Sequence, residues 1–221
     1  QKDVDPGDEI FLDFLRLAGT DLDELNASPR YEQLNAKCEA ASADITDQIF
    51  KYWSQNKHLE VQVQLNEGRT EGPAPFNAGA VARARVYNQL HRASVPFSER
   101  SAGFVWFFSF LVQFAMMRRE TDNVIILLDE PGLTLHGKAQ EDLLHYIEEE
   151  LLPVHQVIYS THSPFMVPPK RLADCRVVED VIDYTNPMRP DSKGTAVTED
   201  GMSTDKDTLF PLQGALGYSV T

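Results

Sequence analysis

The sequence predicts an α/β protein: a parallel sheet covered by helices, with a helical segment on its N-terminal side. Three observations predict it. Residues 123–129 (NVIILLD), with five consecutive apolar residues, read as a continuous buried strand, and residues 154–161 (VHQVIYST) read as another. Residues 137–152 between them carry apolar side chains at helical spacing. Strand–helix–strand with apolar strands is the pattern of a parallel sheet buried on both faces. Residues 8–57 add a third observation, a helical period sustained over two segments.

In order along the chain, Asp8 caps EIFLDFLRLAG, where Ile10, Phe11, Phe14, Leu15 and Leu17 recur at helical spacing and Gly19 supplies the stop. Ser28 and Pro29 start a longer helix through Tyr31, Leu34, Cys38, Ala41, Ile45, Ile49 and Trp53. The pair is expected to form a helical hairpin or arm. At Leu59 the period changes to two: LEVQVQLN alternates as a half-buried strand does. Residues 66–79, rich in Gly and Pro, read as a loop; residues 80–92 read as a second strand, with a helix left open by their alanines. Residues 101–119 form a strongly apolar helix. After about Asp183 the composition is that of a linker, and FPLQGALGYSV near the end is apolar again. The expected parts are a helical segment (1–57), a sheet-bearing domain (58–183) and a linker (184–221).

The 221 residues carry a formal net charge of −14, with 20 Lys and Arg against 34 Asp and Glu. Such a balance disfavours a broad phosphate-binding surface, since cationic contacts dominate nucleic-acid affinity. Cys38 and Cys175 are far apart and form no CxxC pair, which fits a reducing, cytoplasmic setting. No apolar run reaches the roughly 18 residues of a membrane span, and the first residues, QKDVDPGDE, lack the apolar core of a signal peptide. The missing initiator Met suggests a piece of a longer protein.

Three short segments carry chemistry. In NVIILLDEP, Asp129 and Glu130 end an apolar strand, the edge at which open α/β sheets bind ligands. With a magnesium-bound nucleoside triphosphate there, Asp129 would hold the metal and Glu130 would polarise the attacking water. The plain alternative is a solvated acidic turn. In STHSP (160–164), His162 is placed to donate to a γ-phosphate, while Ser163-Pro164 is equally a helix start. In SERSAGF (98–104), Ser101 and Gly103 put a hydroxyl and approachable amides at a helix N-terminus, an anion site by dipole or simply a cap.

Taken in order, these segments resemble the signature, Walker B and H-loop elements of ABC-type ATPases, with PGLTLHGKAQ between them resembling the D-loop. The resemblance covers residues 98–166 and implies an ABC-ATPase-like fold using ATP and Mg2+. It implies that Asp129 is the Mg2+-associated aspartate, Glu130 the catalytic base and His162 the γ-phosphate switch. Ser101 and Gly103 would contact ATP held by the opposite subunit of a homodimer. ERSAGFVWFFSFL, LLDEPGLTLHGKAQ and STHSPFMV are together similar to the OLD (overcoming lysogenization defect) family of ATP-dependent endonucleases. That similarity implies DNA as partner of the full-length protein, a homodimer joined through ATPase head and helical segment, and a TOPRIM nuclease domain after FPLQGALGYSV.

The chain departs from the family in two ways. It contains no G-x-x-x-x-G-K-[ST], so no P-loop cradles the phosphates, and the isolated chain is expected to be inactive. No carboxylate set of a TOPRIM centre is present; Asp205 and Asp207 read as solvated charge. Two rival readings remain: a RecF- or SMC-like repair ATPase whose helices at 8–57 begin a coiled-coil arm, and a non-catalytic dimerisation module. Trp106, Phe107, Phe108 and Phe110 read as packing, Glu148–Glu150 as a solvated helix end, and His136 as either a partner contact or a structural residue. The other histidines lack zinc-ligand spacing.

Overall fold

A computed structural model describes residues 6–21, 23–24, 31–67, 80–120, 123–183, 185, 188 and 191–198. Helix α1 (Pro6–Leu17) ends as its sequence predicts. Gly19 adopts a left-handed φ of 68°, its N–H bonds to Arg16 O at 2.9 Å, and Thr20 N–H bonds to Leu15 O at 3.0 Å. This double closure is a Schellman cap, which satisfies carbonyls the helix would otherwise orphan. The cap expected at Ser28 lies outside the described residues.

Helix α2 (Tyr31–Tyr52) buries Leu34, Cys38, Ala41, Ile45, Ile49 and Tyr52, a stripe at three- and four-residue spacing. It packs on β1 (Leu59–Glu67), which runs antiparallel to β2 (Ala80–Asn88), itself antiparallel to β3 (Ala93–Pro96). The far edge of β1 is closed by polar side chains of α2. Leu65 N–H donates to Asn35 Oδ1 at 2.7 Å, Val63 N–H to Ser42 Oγ at 3.3 Å and Val61 N–H to Thr46 Oγ1 at 3.1 Å. An edge strand left open is a template for unwanted pairing, so the helix removes that hazard. The expected helical arm is therefore not free: the apolar stripe of α2 lies inside the chain's own core.

Helix α3 (Ala102–Glu120) is the centre of that core, burying Phe104, Phe107, Phe108, Phe110, Leu111, Val112 and Phe114. Trp53, just past α2, meets Phe104 edge-on at 5.6 Å and Phe107 at 5.1 Å. The aromatic cluster is thus packing, as the sequence predicts. Strand β4 (Ile125–Leu128) leads through a tight turn to α4 (Gly137–Tyr146). A π-helical turn at Ile147–Leu151 follows, and β5 (Gln156–Tyr159) pairs parallel to β4.

The structure thus has the predicted α/β character and the predicted parallel strand pair, with two differences. Only one face of β4–β5 is covered among the described residues. Ile126 is 6% exposed, whereas Ile125, Leu127 and Ile158 are 64%, 72% and 53% exposed. Alternate strand residues point to opposite faces, and the core lies on one side alone. A second difference lies at the linker, since β6 (Val177–Asp183) and β7 (Asp191–Thr198) form an antiparallel hairpin. Among the described residues no helix is long and apolar enough to cross a membrane.

Candidate functional site

The parallel register of β4 and β5 sets Leu128 opposite Tyr159, and Ser160 N–H donates to Leu128 O at 3.1 Å. The next residues of both strands therefore emerge side by side at the C-terminal edge. Ser160 Oγ donates to Asp129 Oδ1 at 2.6 Å and accepts Glu130 N–H at 3.0 Å. Glu130 has a φ of 45°, left-handed for a side-chain-bearing residue. That conformation costs about 1–2 kcal/mol and persists only where surrounding contacts hold it. Here the Glu130 carboxylate turns onto the following loop: Oε2 accepts His162 N–H at 3.3 Å, and Oε1 lies 3.2 Å from His162 Nε2. The His162 ring is 95% exposed, so it is free to reorient toward solvent or ligand.

Two glycines and one glutamine shape the loops around this edge. The turn after Glu130 needs Gly132, whose φ is 79°. Gln140 on α4 is 9% exposed; its Nε2 donates to Gly132 O at 3.0 Å, and its Oε1 accepts from Ser163 Oγ at 2.5 Å. Ser163 Oγ also accepts Phe165 N–H at 3.3 Å, capping the turn at Pro164–Met166. The loop carrying His162 is thereby tied to the turn that follows Glu130. At Gly137 a Cβ would stand 2.7 Å from the Phe165 ring, so α4 and the His162 loop approach closely only because this residue has no side chain.

The predicted site residues thus fall into two groups. Asp129, Glu130 and His162 come together. Ser101 and Gly103 stand apart at the start of α3, where Ser101 Oγ accepts Phe104 N–H at 3.3 Å as a helix cap. Gly103 packs on the turn at 134–135; a Cβ there would lie 3.2 Å from Leu135 Cδ2 and 3.6 Å from Thr134 O. His136, in the same turn, hydrogen-bonds Gln55 Oε1 at 2.8 Å, a contact within the chain. Glu149 and Glu150 are not simply solvated. Glu150 Oε1 lies 2.6 Å from Lys51 Nζ and accepts the Tyr52 hydroxyl at 2.6 Å, docking the π-helical turn on the end of α2.

Sequence reasoning missed Ser160 and Gln140 as site residues. Ser160 had a signal, since it stands at the end of its strand as Asp129 does. Gln140 had none, being one polar residue on an amphipathic helix.

A cleft of about 920 Å³ opens beside β5, with Asp129, Glu130 and His162 at one end and Val157, Tyr159, Met166 and Cys175 along it. Burial holds the Tyr159 hydroxyl and the Cys175 thiol above their ordinary pKa ranges. Tyr159 accordingly keeps its proton and donates it to Met166 O at 2.6 Å. No group of three or more His, Cys, Asp or Glu able to hold a metal stands among the described residues. The Asp129 carboxylate suits Mg2+, which keeps several waters and takes few protein ligands when phosphates complete its shell.

Open α/β sheets bind ligands at the C-terminal ends of their parallel strands, which makes residues 129–130 and 160–162 the candidate site of this α/β protein. The chain belongs to the AAA ATPase domain family, whose pattern matches residues 15–167. An uncharacterized protein of Methanocaldococcus jannaschii, MJECL43, is 24% identical over 204 residues, covering 89% of this chain and 47% of its own length. Among solved structures, an Smc head bound to the C-winged helix domain of ScpA is 16% identical with a TM-score of 0.43, over 84% of this chain and 48% of that one. The Smc head domain of Pyrococcus yayanosii, with a coiled coil and joint, is 16% identical with a TM-score of 0.44, over 82% and 31%. The chain spans about half the length of these relatives, or less.

Proposed function

We propose that this chain supplies the hydrolytic edge of an ATPase that works as a dimer. The observation carrying this reading is the Glu130–His162 pair directly beside Asp129, held at a strand end by a strained backbone. ATP as substrate brings the γ-phosphoryl group, and Mg2+ when bound neutralises charge on the phosphates. Asp129 holds the cation through its carboxylate. Glu130 accepts the proton of the attacking water, the task of a carboxylate in reach of solvent and phosphate. His162 shares that carboxylate and, swinging toward the phosphate, reports its presence through an N–H donor. Ser101 and Gly103 present the α3 N-terminus to nucleotide bound by the second subunit, where amides and dipole favour an anion.

The finer reading is an OLD-like, cytoplasmic, ATP-dependent DNA endonuclease acting as a homodimer, in which ATP closes the heads and gates cleavage. It is supported by ERSAGF, LLDEPGLTLHGKAQ and STHSPFMV occurring together in that order. Burial of the α2 stripe disfavours the rival in which these helices begin a coiled-coil arm. The test is ATP turnover by the intact protein and its Glu130→Gln variant. Removing the base is expected to lower kcat by about 10²–10⁴-fold. Wild-type turnover in the variant would refute the assignment. Absence of ATP-dependent DNA cleavage by the intact protein would remove the nuclease and leave the ATPase.

A further inference from the structure

We infer that Ser160 is the positioning residue that holds Asp129 and Glu130 in register, an inference resting on the ATPase reading of the site. One hydroxyl makes both contacts. Its proton goes to Asp129 Oδ1 at 2.6 Å, and its lone pair takes Glu130 N–H at 3.0 Å. The second contact fixes the peptide that carries the left-handed φ of 45°, and only that backbone turn sends the Glu130 carboxylate onto His162. The first contact sets the Asp129 rotamer and engages one carboxylate oxygen. Asp129 Oδ2 has no hydrogen bond among the described residues, so that oxygen is the one presented for a cation. The neighbouring Thr161 hydroxyl is used elsewhere, accepting Ser163 N–H at 3.0 Å. Ser160 is itself exposed, so its hydroxyl acts on the geometry of the site more than on the stability of the core.

The inference predicts a particular pattern in the intact protein carrying Ser160→Ala, Ser160→Thr or Glu130→Gln. Three quantities are measured: amide hydrogen exchange at Glu130 without nucleotide, thermal melting, and steady-state ATP turnover. In Ser160→Ala the Glu130 amide should exchange about tenfold faster, as an N–H without its acceptor does. Its kcat should fall about 10–100-fold, the loss typical when a supporting partner of a site is removed. KM and the melting temperature should stay near wild type. Ser160→Thr keeps the hydroxyl and should restore both exchange protection and turnover. Unchanged Glu130 exchange and turnover in Ser160→Ala would overturn the inference, and so would equal damage from alanine and threonine. Full turnover in Glu130→Gln would instead overturn the assignment of Glu130 as base, and with it the catalytic consequence assigned to Ser160, while absence of ATP turnover by the unsubstituted protein would overturn the ATPase reading.

Discussion

Replacing Gln140 with leucine keeps the volume of a buried side chain and removes both of its hydrogen bonds. The amide spans two segments distant in sequence: it donates to Gly132 O at 3.0 Å and accepts from Ser163 Oγ at 2.5 Å. Ser163 is half-buried and can turn its hydroxyl toward water, so its loss is small. Gly132 is buried, but its carbonyl still accepts Leu135 N–H at 2.8 Å, so it loses one of two donors and is not orphaned. Each lost neutral hydrogen bond costs about 0.5–1.5 kcal/mol. Leucine gains some apolar burial in return, so the net expectation is about 1 kcal/mol. For a domain of this size each kcal/mol shifts Tm by about 2–4 °C, giving a drop of about 2–4 °C. Urea denaturation is the decisive assay, with the midpoint falling at constant m because the surface exposed on unfolding is unchanged. A loss below about 0.5 kcal/mol, the range of an ordinary surface substitution, would refute the claim that Gln140 ties the two loops.

Gly137→Ala drives a Cβ to 2.7 Å from the Phe165 ring, and overpacking of this kind costs about 1–3 kcal/mol in the same denaturation assay. Ile126→Ala is expected to cost about 2–4 kcal/mol, and Leu127→Ala less than about 0.5 kcal/mol, because adjacent residues of β4 face opposite sides. Equal losses at the two positions would contradict the one-sided cover of the sheet. Burial pushes the Cys38 thiol from 9.0 to about 11, so it should resist thiol reagents at pH 8 until the chain unfolds. The same shift has a defined sign. Its stabilisation is fully present below pH 9.0 and declines as pH rises through about 11, because the unfolded thiol ionises first. A Cys38→Ala background should remove that alkaline component from the stability profile.

The helices α1 and α2, the strand at Leu59 and the apolar helix α3 follow from local periodicity alone, and Gly19 marks its helix end as predicted. Asp129 and Glu130 at a strand end were legible for the same reason, since an apolar run followed by two carboxylates is a local pattern. The tertiary structure decided what no period encodes. The β4–β5 register put Ser160 beside Asp129, and the helical cover left Ile125, Leu127 and Ile158 exposed. Packing of α2 on β1 turned Asn35, Ser42 and Thr46 into partners for strand amides. Residues 191–198 became a strand despite their polarity, because β6 offered an edge to pair with. Periodicity reports which face a residue occupies on its own element. Which element lies against that face is set by contacts between residues far apart in the chain, and those form only when the whole core closes.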